Sequence, residues 1–235
     1  MYINLKGVLY MSDFFTDYKN SADITNKEIF DMALRDTKRE GIEDLIKYLE
    51  STDFYTAPAS SRFHCDYEGG LVEHSLNVYR CLTFKQRSQL WSEIFKRNNT
   101  PIESLAISAL LHDVCKANFY AVDYKNQKTY DEEKVARAER WQIKNDNNGS
   151  FIWETVPFYK ANEQFPFGHG DKSVYIVNKY ITLTDEEAVA IRFHMGAYEG
   201  QNIWSSLGNA IEKYPLALAL HEADMEATHM LEVKP

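Results

Sequence analysis

The stretch Thr100-Pro-Ile-Glu-Ser-Leu-Ala-Ile-Ser-Ala-Leu-Leu-His-Asp-Val-Cys-Lys116 combines a long apolar run with a histidine, an aspartate and a lysine at its end. It opens with a helix-start pattern: Thr100 as N-cap, Pro101 at the first helical position and Glu103 at the third. Ser104–Lys116 then reads as a helix apolar nearly all round, through Leu105, Ala106, Ile107, Ala109, Leu110, Leu111 and Val114. A helix with almost no polar face belongs in the middle of a bundle. Asp113 and Lys116 are charged residues in that setting, where an uncompensated charge is very costly. Two arrangements meet the cost: an Asp113–Lys116 ion pair at a spacing of three residues, or a metal ion held by His112 and Asp113.

Around this segment the chain is mostly helical from about Asn26. Ile42, Leu45, Ile46 and Leu49 recur at helical spacing within Gly41–Ser51. The turn Tyr67-Glu-Gly-Gly70 leads into a helix over Leu71–Phe84. Thr184-Asp-Glu-Glu187 is a capping box that opens a helix through His194, and Pro215 starts a last helix over Leu216–Leu231. Residues 119–167 break the rhythm. Phe119–Tyr124 looks extended, and Trp141–Lys144 and Phe151–Pro157 flank the turn-prone Asn145-Asp-Asn-Asn-Gly-Ser150. The expected fold is all-α, with a small β-hairpin insertion at about 119–167. Residues 1–25 form a lead-in and residues 26–235 the folded domain.

The composition excludes several classes. Of 235 residues, 44% are hydrophobic and 14% aromatic, so the chain is neither disordered nor of low complexity. Its 26 basic against 35 acidic residues give a net charge of −9, which argues against holding duplex DNA by charge. The three cysteines, Cys65, Cys81 and Cys115, form no CxxC pair, so neither a disulfide framework nor a zinc ribbon is expected. The sequence shows no signal-peptide layout and no apolar run near the ~18 residues of a membrane span, so a soluble, cytoplasmic protein is expected. The phosphate-binding, dinucleotide-binding and nucleophile-elbow motifs are absent.

Histidine and aspartate remain. His74 follows Gly69-Gly70, His169 lies in Phe-Gly-His-Gly, His194 stands near a helix end, and Asp224 sits in the last helix. Any one of them alone is more often a hydrogen-bonded core or helix-end residue than a ligand. Together with His112-Asp113 they form the order His, His-Asp, His, His, Asp across several helices. Imidazole with carboxylate suits Fe, Mn, Zn or Ni, and six such ligands exceed what one ion needs. Two ions about 3.5–4 Å apart, bridged by a carboxylate, would use them all.

These segments resemble the HD-domain metal-dependent phosphohydrolase superfamily, an all-helical bundle with the pattern H…HD…D. His169 and His194 match its bimetallic branch. The group most similar is that of the HD domains of bacterial 3′–5′ exoribonucleases. The matching segments are Gly69-Gly-Leu-Val-Glu-His74, His112-Asp-Val-Cys-Lys116, Gly168-His169, His194-Met-Gly-Ala-Tyr-Glu-Gly200 and Leu220-His-Glu-Ala-Asp224. They span roughly residues 42–230 in the family's order. Two departures stand out: Cys115 occupies the place of the usual glycine, and Met195 follows His194 where relatives often carry a second histidine.

The resemblance implies two divalent ions (Mn, Fe, Ni, Zn or Mg), with His74, His112 and Asp224 on one, His169 and His194 on the other, and Asp113 bridging. Lys116 is expected to bind a phosphate oxygen, and His64 and Glu199 match positions that could contact substrate. His221, one turn before Asp224, is expected to support a ligand rather than to be one. The expected substrate is a phosphate-containing small molecule or a short single-stranded nucleic acid, with no duplex DNA and no membrane. Tyr120, Trp141 and Trp153 would either stack on a base or, as the favoured expectation, pack the hairpin onto the bundle. Two other readings stay open: a single-metal nucleotidase in which His169 and His194 work on the substrate, and a non-hydrolytic protein that binds a nucleotide or senses a metal.

Overall fold

The computed structural model of the chain describes residues 24–233; the lead-in expected over residues 1–25 lies almost wholly outside them. Ten α-helices are described: α1 Asn26–Asp36, α2 Ile42–Glu50, α3 Gly70–Arg87, α4 Gln89–Asn98, α5 Ile102–Leu111, α6 Glu132–Arg137, α7 His169–Val177, α8 Asp185–Phe193, α9 Trp204–Lys213 and α10 Pro215–Glu226. Three strands, β1 Tyr120–Thr129, β2 Lys144–Asp146 and β3 Gly149–Ala161, form one small antiparallel sheet in the order β1-β3-β2. The fold is thus mostly helical with a small sheet. None of its described helices is long and apolar enough to cross a membrane.

Helix α5 is the axis of the bundle, and every residue from Ser104 to Leu111 is buried. It packs on α3, α8 and α1, while α10 covers α3 and α8. The amphipathic α2 buries the four apolar residues that its spacing picks out, Ile42, Leu45, Ile46 and Leu49. The capping box at Thr184 is present, with Glu187 amide and side chain both engaged.

Glu187 does more than cap. Its side chain is fully buried, accepts two bonds from Arg39 at 2.6 and 3.0 Å and one from the Ser104 hydroxyl at 2.6 Å. One carboxylate therefore ties the start of α8 to the α1–α2 turn and to the first turn of α5. Burial works against its charge, but Arg39 and Ser104 outweigh that and hold its pKa below the usual range.

Three local expectations are corrected. Helix α5 does not run to Lys116: it ends at Leu111, and Val114–Lys116 form a separate 3₁₀ turn, because the His112 side chain takes the carbonyl of Ala109. Thr100 is not the N-cap; Pro101 holds that place and the Thr100 hydroxyl donates to Glu186 at 3.0 Å. The final helix stops at Glu226, and Ala227–Leu231 widen into a single π turn.

The insertion is also rearranged. The main ribbon joins β1 to β3, from Tyr120↔Ala161 to Thr129↔Ile152, with α6 placed in the connection. The short β2 pairs with the start of β3 across the turn Asn147-Asn148, so of Trp141–Lys144 only Lys144 is in a strand. The sheet makes its main contacts within itself and with α6. Trp141 and Trp153 remain 79% and 52% exposed, so they do not pack the hairpin onto the bundle. Tyr120, at the root, is half-buried and its hydroxyl donates to the Ala59 carbonyl.

Because Glu187 is shared by three segments, Glu187→Ala should lower stability by about 2–3 kcal/mol, the range for losing hydrogen bonds to a charged group, since Arg39 is partly exposed and still bonds the Thr182 carbonyl. Urea denaturation measures it, and a loss under about 1 kcal/mol would show that the tie carries no weight.

Candidate metal centre

Two helices end in the same way. Helix α5 stops with His112 at its C-cap, whose Nδ1 donates to the Ala109 carbonyl at 2.8 Å. Helix α8 stops with His194 at its C-cap, whose Nδ1 donates to the Ile191 carbonyl at 2.7 Å. A carbonyl only accepts, so each Nδ1 carries the proton, and in the neutral ring each Nε2 carries a bare lone pair. Each imidazole satisfies a helix-terminal carbonyl and turns its lone pair away from the helix. Both lone pairs meet the same buried space.

His74 reaches that space from α3. The helix begins after Gly69, which has φ of 80°, and at Gly70 a Cβ would collide with the Cys65 carbonyl, so only glycine lets α3 start this close to the preceding loop. His74 lies one turn further on. Its Nδ1 donates to the Glu232 carboxylate at 3.1 Å, and Asn77 Nδ2 donates to the same group at 2.9 Å. Its Nε2 stands 3.3 Å from His112 Nε2 and 3.2 Å from Asp224 Oδ1.

Asp113, only 2% exposed, occupies the middle. Its Oδ1 faces His169 Nε2 at 2.8 Å and His194 Nε2 at 3.6 Å. Its Oδ2 faces Lys116 Nζ at 2.7 Å, His112 Nε2 at 3.4 Å and His74 Nε2 at 3.7 Å. The Asp113–Lys116 ion pair is therefore real, yet it engages one oxygen of a carboxylate surrounded by four imidazoles. Burial opposes the charge of Asp113, but Lys116 and the imidazoles overcome it and hold the carboxyl well below its usual range. Burial likewise opposes a proton on His74, but Asp224 and Glu232 outweigh it and raise the pKa from 6.5 to about 10.

The donor set fits a divalent cation. Nitrogen and carboxylate oxygen from His74, His112, Asp113, His169, His194 and Asp224 interlock in overlapping groups whose ligand atoms lie within 4.8 Å of one another. His194 Nε2 is buried with no hydrogen-bond partner, which is costly unless something else binds it. The 3.3 Å between His74 Nε2 and His112 Nε2 matches the roughly 3.4 Å expected for two nitrogens about 2.1 Å from one tetrahedral ion. Imidazoles backed by a carbonyl or a carboxylate on the far nitrogen are the usual way to aim such ligands.

All six expected ligands and Lys116 converge. His64 lies beside them, its ring 4.9 Å from that of His74, with Nε2 buried and unpartnered. Glu199 enters none of these groups; its Oε2 accepts from Arg192 at 2.6 Å. His221 Nδ1 donates to the His194 carbonyl at 2.7 Å, and its ring packs so closely on Gly196 that a Cβ there would sit 2.5 Å from Cε1. Glu232 and the nearness of Cys115 to His169 are absent from the sequence reading. A glutamate near the chain's end, 158 positions from His74, carries no local signal of its partner.

Compared with known proteins, the chain matches no family model, no curated protein and no solved structure.

Two outcomes follow from the geometry. Glu232→Ala should weaken metal binding by about 10–100-fold, read by competition with a chromophoric chelator. Glu232→Gln should lose less, because its carbonyl can still accept from Nδ1; equal affinity in all three proteins would show that Glu232 only pins the chain end. The second concerns protons. A metal needs the Nε2 lone pair of His74, whose proton is held up to about pH 10, so metal uptake at neutral pH must release that proton. Affinity should thus rise with pH, about tenfold per unit for each proton displaced. Calorimetry in two buffers of different ionisation enthalpy counts the protons, and a count of zero would contradict the raised pKa.

Proposed function

We propose that the chain is a metal-dependent phosphohydrolase of the HD superfamily that cleaves a phosphoester or phosphoanhydride, of a nucleotide or a short oligonucleotide. The observation that carries this reading is the division of labour on Asp113: Oδ2 faces His74 and His112, and Oδ1 faces His169 and His194. His74, His112 and Asp224 with Oδ2 would hold one ion, and His169 and His194 with Oδ1 the other. Bound divalent ions supply a Lewis acid and lower the pKa of bound water from 15.7 toward about 7.

The rest is done by the chain's own groups. The main-chain carbonyls of Ala109 and Ile191 and the Glu232 carboxylate hold a proton on Nδ1 of three imidazoles, so that Nε2 is the nitrogen left for a ligand. Lys116 stays charged, because Asp113 outweighs the burial of its ammonium. With one donor on Asp113, it has others to offer a phosphate oxygen, where a fixed cation stabilises charge that builds up in the transition state. In a protein of net charge −9, ions held there would also supply the local positive charge that attracts phosphate.

A second reading has one ion, on His74, His112, Asp113 and Asp224, and leaves His169 to face the substrate. Its support is that the His169 side chain is 31% exposed, against 1% or less for His74, His112 and His194.

Elemental analysis of protein purified without chelator separates the two. About two transition ions per chain, falling in His169→Ala, favour the dinuclear reading; about one, unchanged in that variant, favours the single-ion nucleotidase. Lys116→Ala should keep the metals and lower turnover about 10²–10³-fold on a panel of nucleotide phosphoesters. Loss of metal in that variant would give the lysine a structural role. A loaded protein that hydrolyses nothing on the panel would favour the non-hydrolytic reading.

A further inference from the structure

Cys115 is the residue by which this chain departs from the HD pattern at its centre, and its surroundings are polar. It lies in the 3₁₀ turn Val114–Lys116, 3% exposed, and its amide donates to the Ser173 hydroxyl of α7 at 3.1 Å. That bond sets the turn against the helix whose first residue is His169. The sulfur stands 3.3 Å from His169 Nδ1 and 3.8 Å from His169 Nε2. His169 Nε2 is in turn 2.8 Å from Asp113 Oδ1. Sulfur, carboxylate oxygen and ring nitrogen thus form a three-donor group within 4.8 Å.

Two comparisons argue against plain packing. Cys81 is a buried thiol within the main apolar core, whereas Cys115, more deeply buried, is not part of that cluster. The same Asp113 Oδ1 is also approached, at 3.6 Å, by His194 Nε2, which is fully buried and has no hydrogen-bond partner. A thiol, a carboxylate and two imidazole nitrogens gathered at one buried point are the donor set of a cation site rather than of an apolar core.

We propose that Cys115 is a metal ligand: its thiolate sulfur joins Asp113 and His169 on one ion, with His194 alongside, and the thiol proton passes to water on binding. This rests on the reading that the cluster holds metal. It adds a prediction about identity that imidazole and carboxylate alone do not make. A soft sulfur favours zinc or iron over magnesium or manganese, which prefer oxygen. The chain is then a zinc or iron protein at this position.

Cobalt(II) titration of the metal-free protein, followed by absorption, tests it. Wild type should develop visible d–d bands together with an intense near-ultraviolet sulfur-to-cobalt charge-transfer band. Cys115→Ser should keep the visible bands and lose the ultraviolet one, while Cys81→Ser keeps both. Cys115→Ser should also lower the preference for zinc over manganese by about tenfold or more. Visible bands in wild type without the charge-transfer band would overturn the proposal while leaving the metal centre standing, and so would a band that survives Cys115→Ser. No cobalt bands at all would overturn the metal reading and this inference with it. The wild-type spectrum decides even if Cys115→Ser fails to fold.

Discussion

A buried carboxylate with two differently occupied oxygens governs this structure. Asp113 lies at the end of the most apolar helix, where its charge is affordable only with compensation on every side. Lys116 supplies a cation at 2.7 Å, and four imidazoles from four segments supply the rest. The bundle can be understood as the scaffold that brings α3, the end of α5, the start of α7 and the end of α8 to this one group, with Asp224 of α10 reaching His74 beside it. If Asp113 moved, none of those approaches would have a common target.

The aiming of the imidazoles depends on how helices stop. His112 and His194 each replace a main-chain donor at a helix C-terminus, bonding the carbonyl three residues back. The same bond ends the helix, sets the tautomer and turns the lone pair inward. His74, in mid-helix, has no free carbonyl nearby and takes the Glu232 carboxylate instead. That carboxylate stands directly after the π turn Ala227–Leu231 that follows α10. Secondary structure and ligand chemistry are here the same set of hydrogen bonds.

The small sheet stands apart from this economy. Its long strand β1 begins four residues after Lys116 and pairs at its start with Ala161 at the end of β3, eight residues before His169. Cross-strand partners share a face, and β1 residues Tyr120, Val122 and Tyr124 lie with Tyr159, Pro157 and Trp153 of β3 on one side. Val122, Tyr124 and Trp153 are exposed.

Much of the helical frame was legible from the residues alone, because it rests on local rules. Apolar spacing marks α2, Thr184 with Glu187 marks the start of α8, Gly69-Gly70 marks the start of α3, and the run over Leu105–Leu111 marks a buried axis. The candidate ligands were legible too, since histidine and aspartate at such places are few. What one dimension could not tell was the end of α5. That end depends on a side chain competing for a carbonyl, and spacing carries no record of such a contest. Nor could it tell the pairing in the insertion, where β1 meets β3 across a helix rather than a tight turn. Glu232 behind His74, Cys115 against His169 and Glu187 under Arg39 were hidden for a single reason. Each joins residues far apart in sequence by contacts that only the packed bundle creates, and burial is what makes them matter.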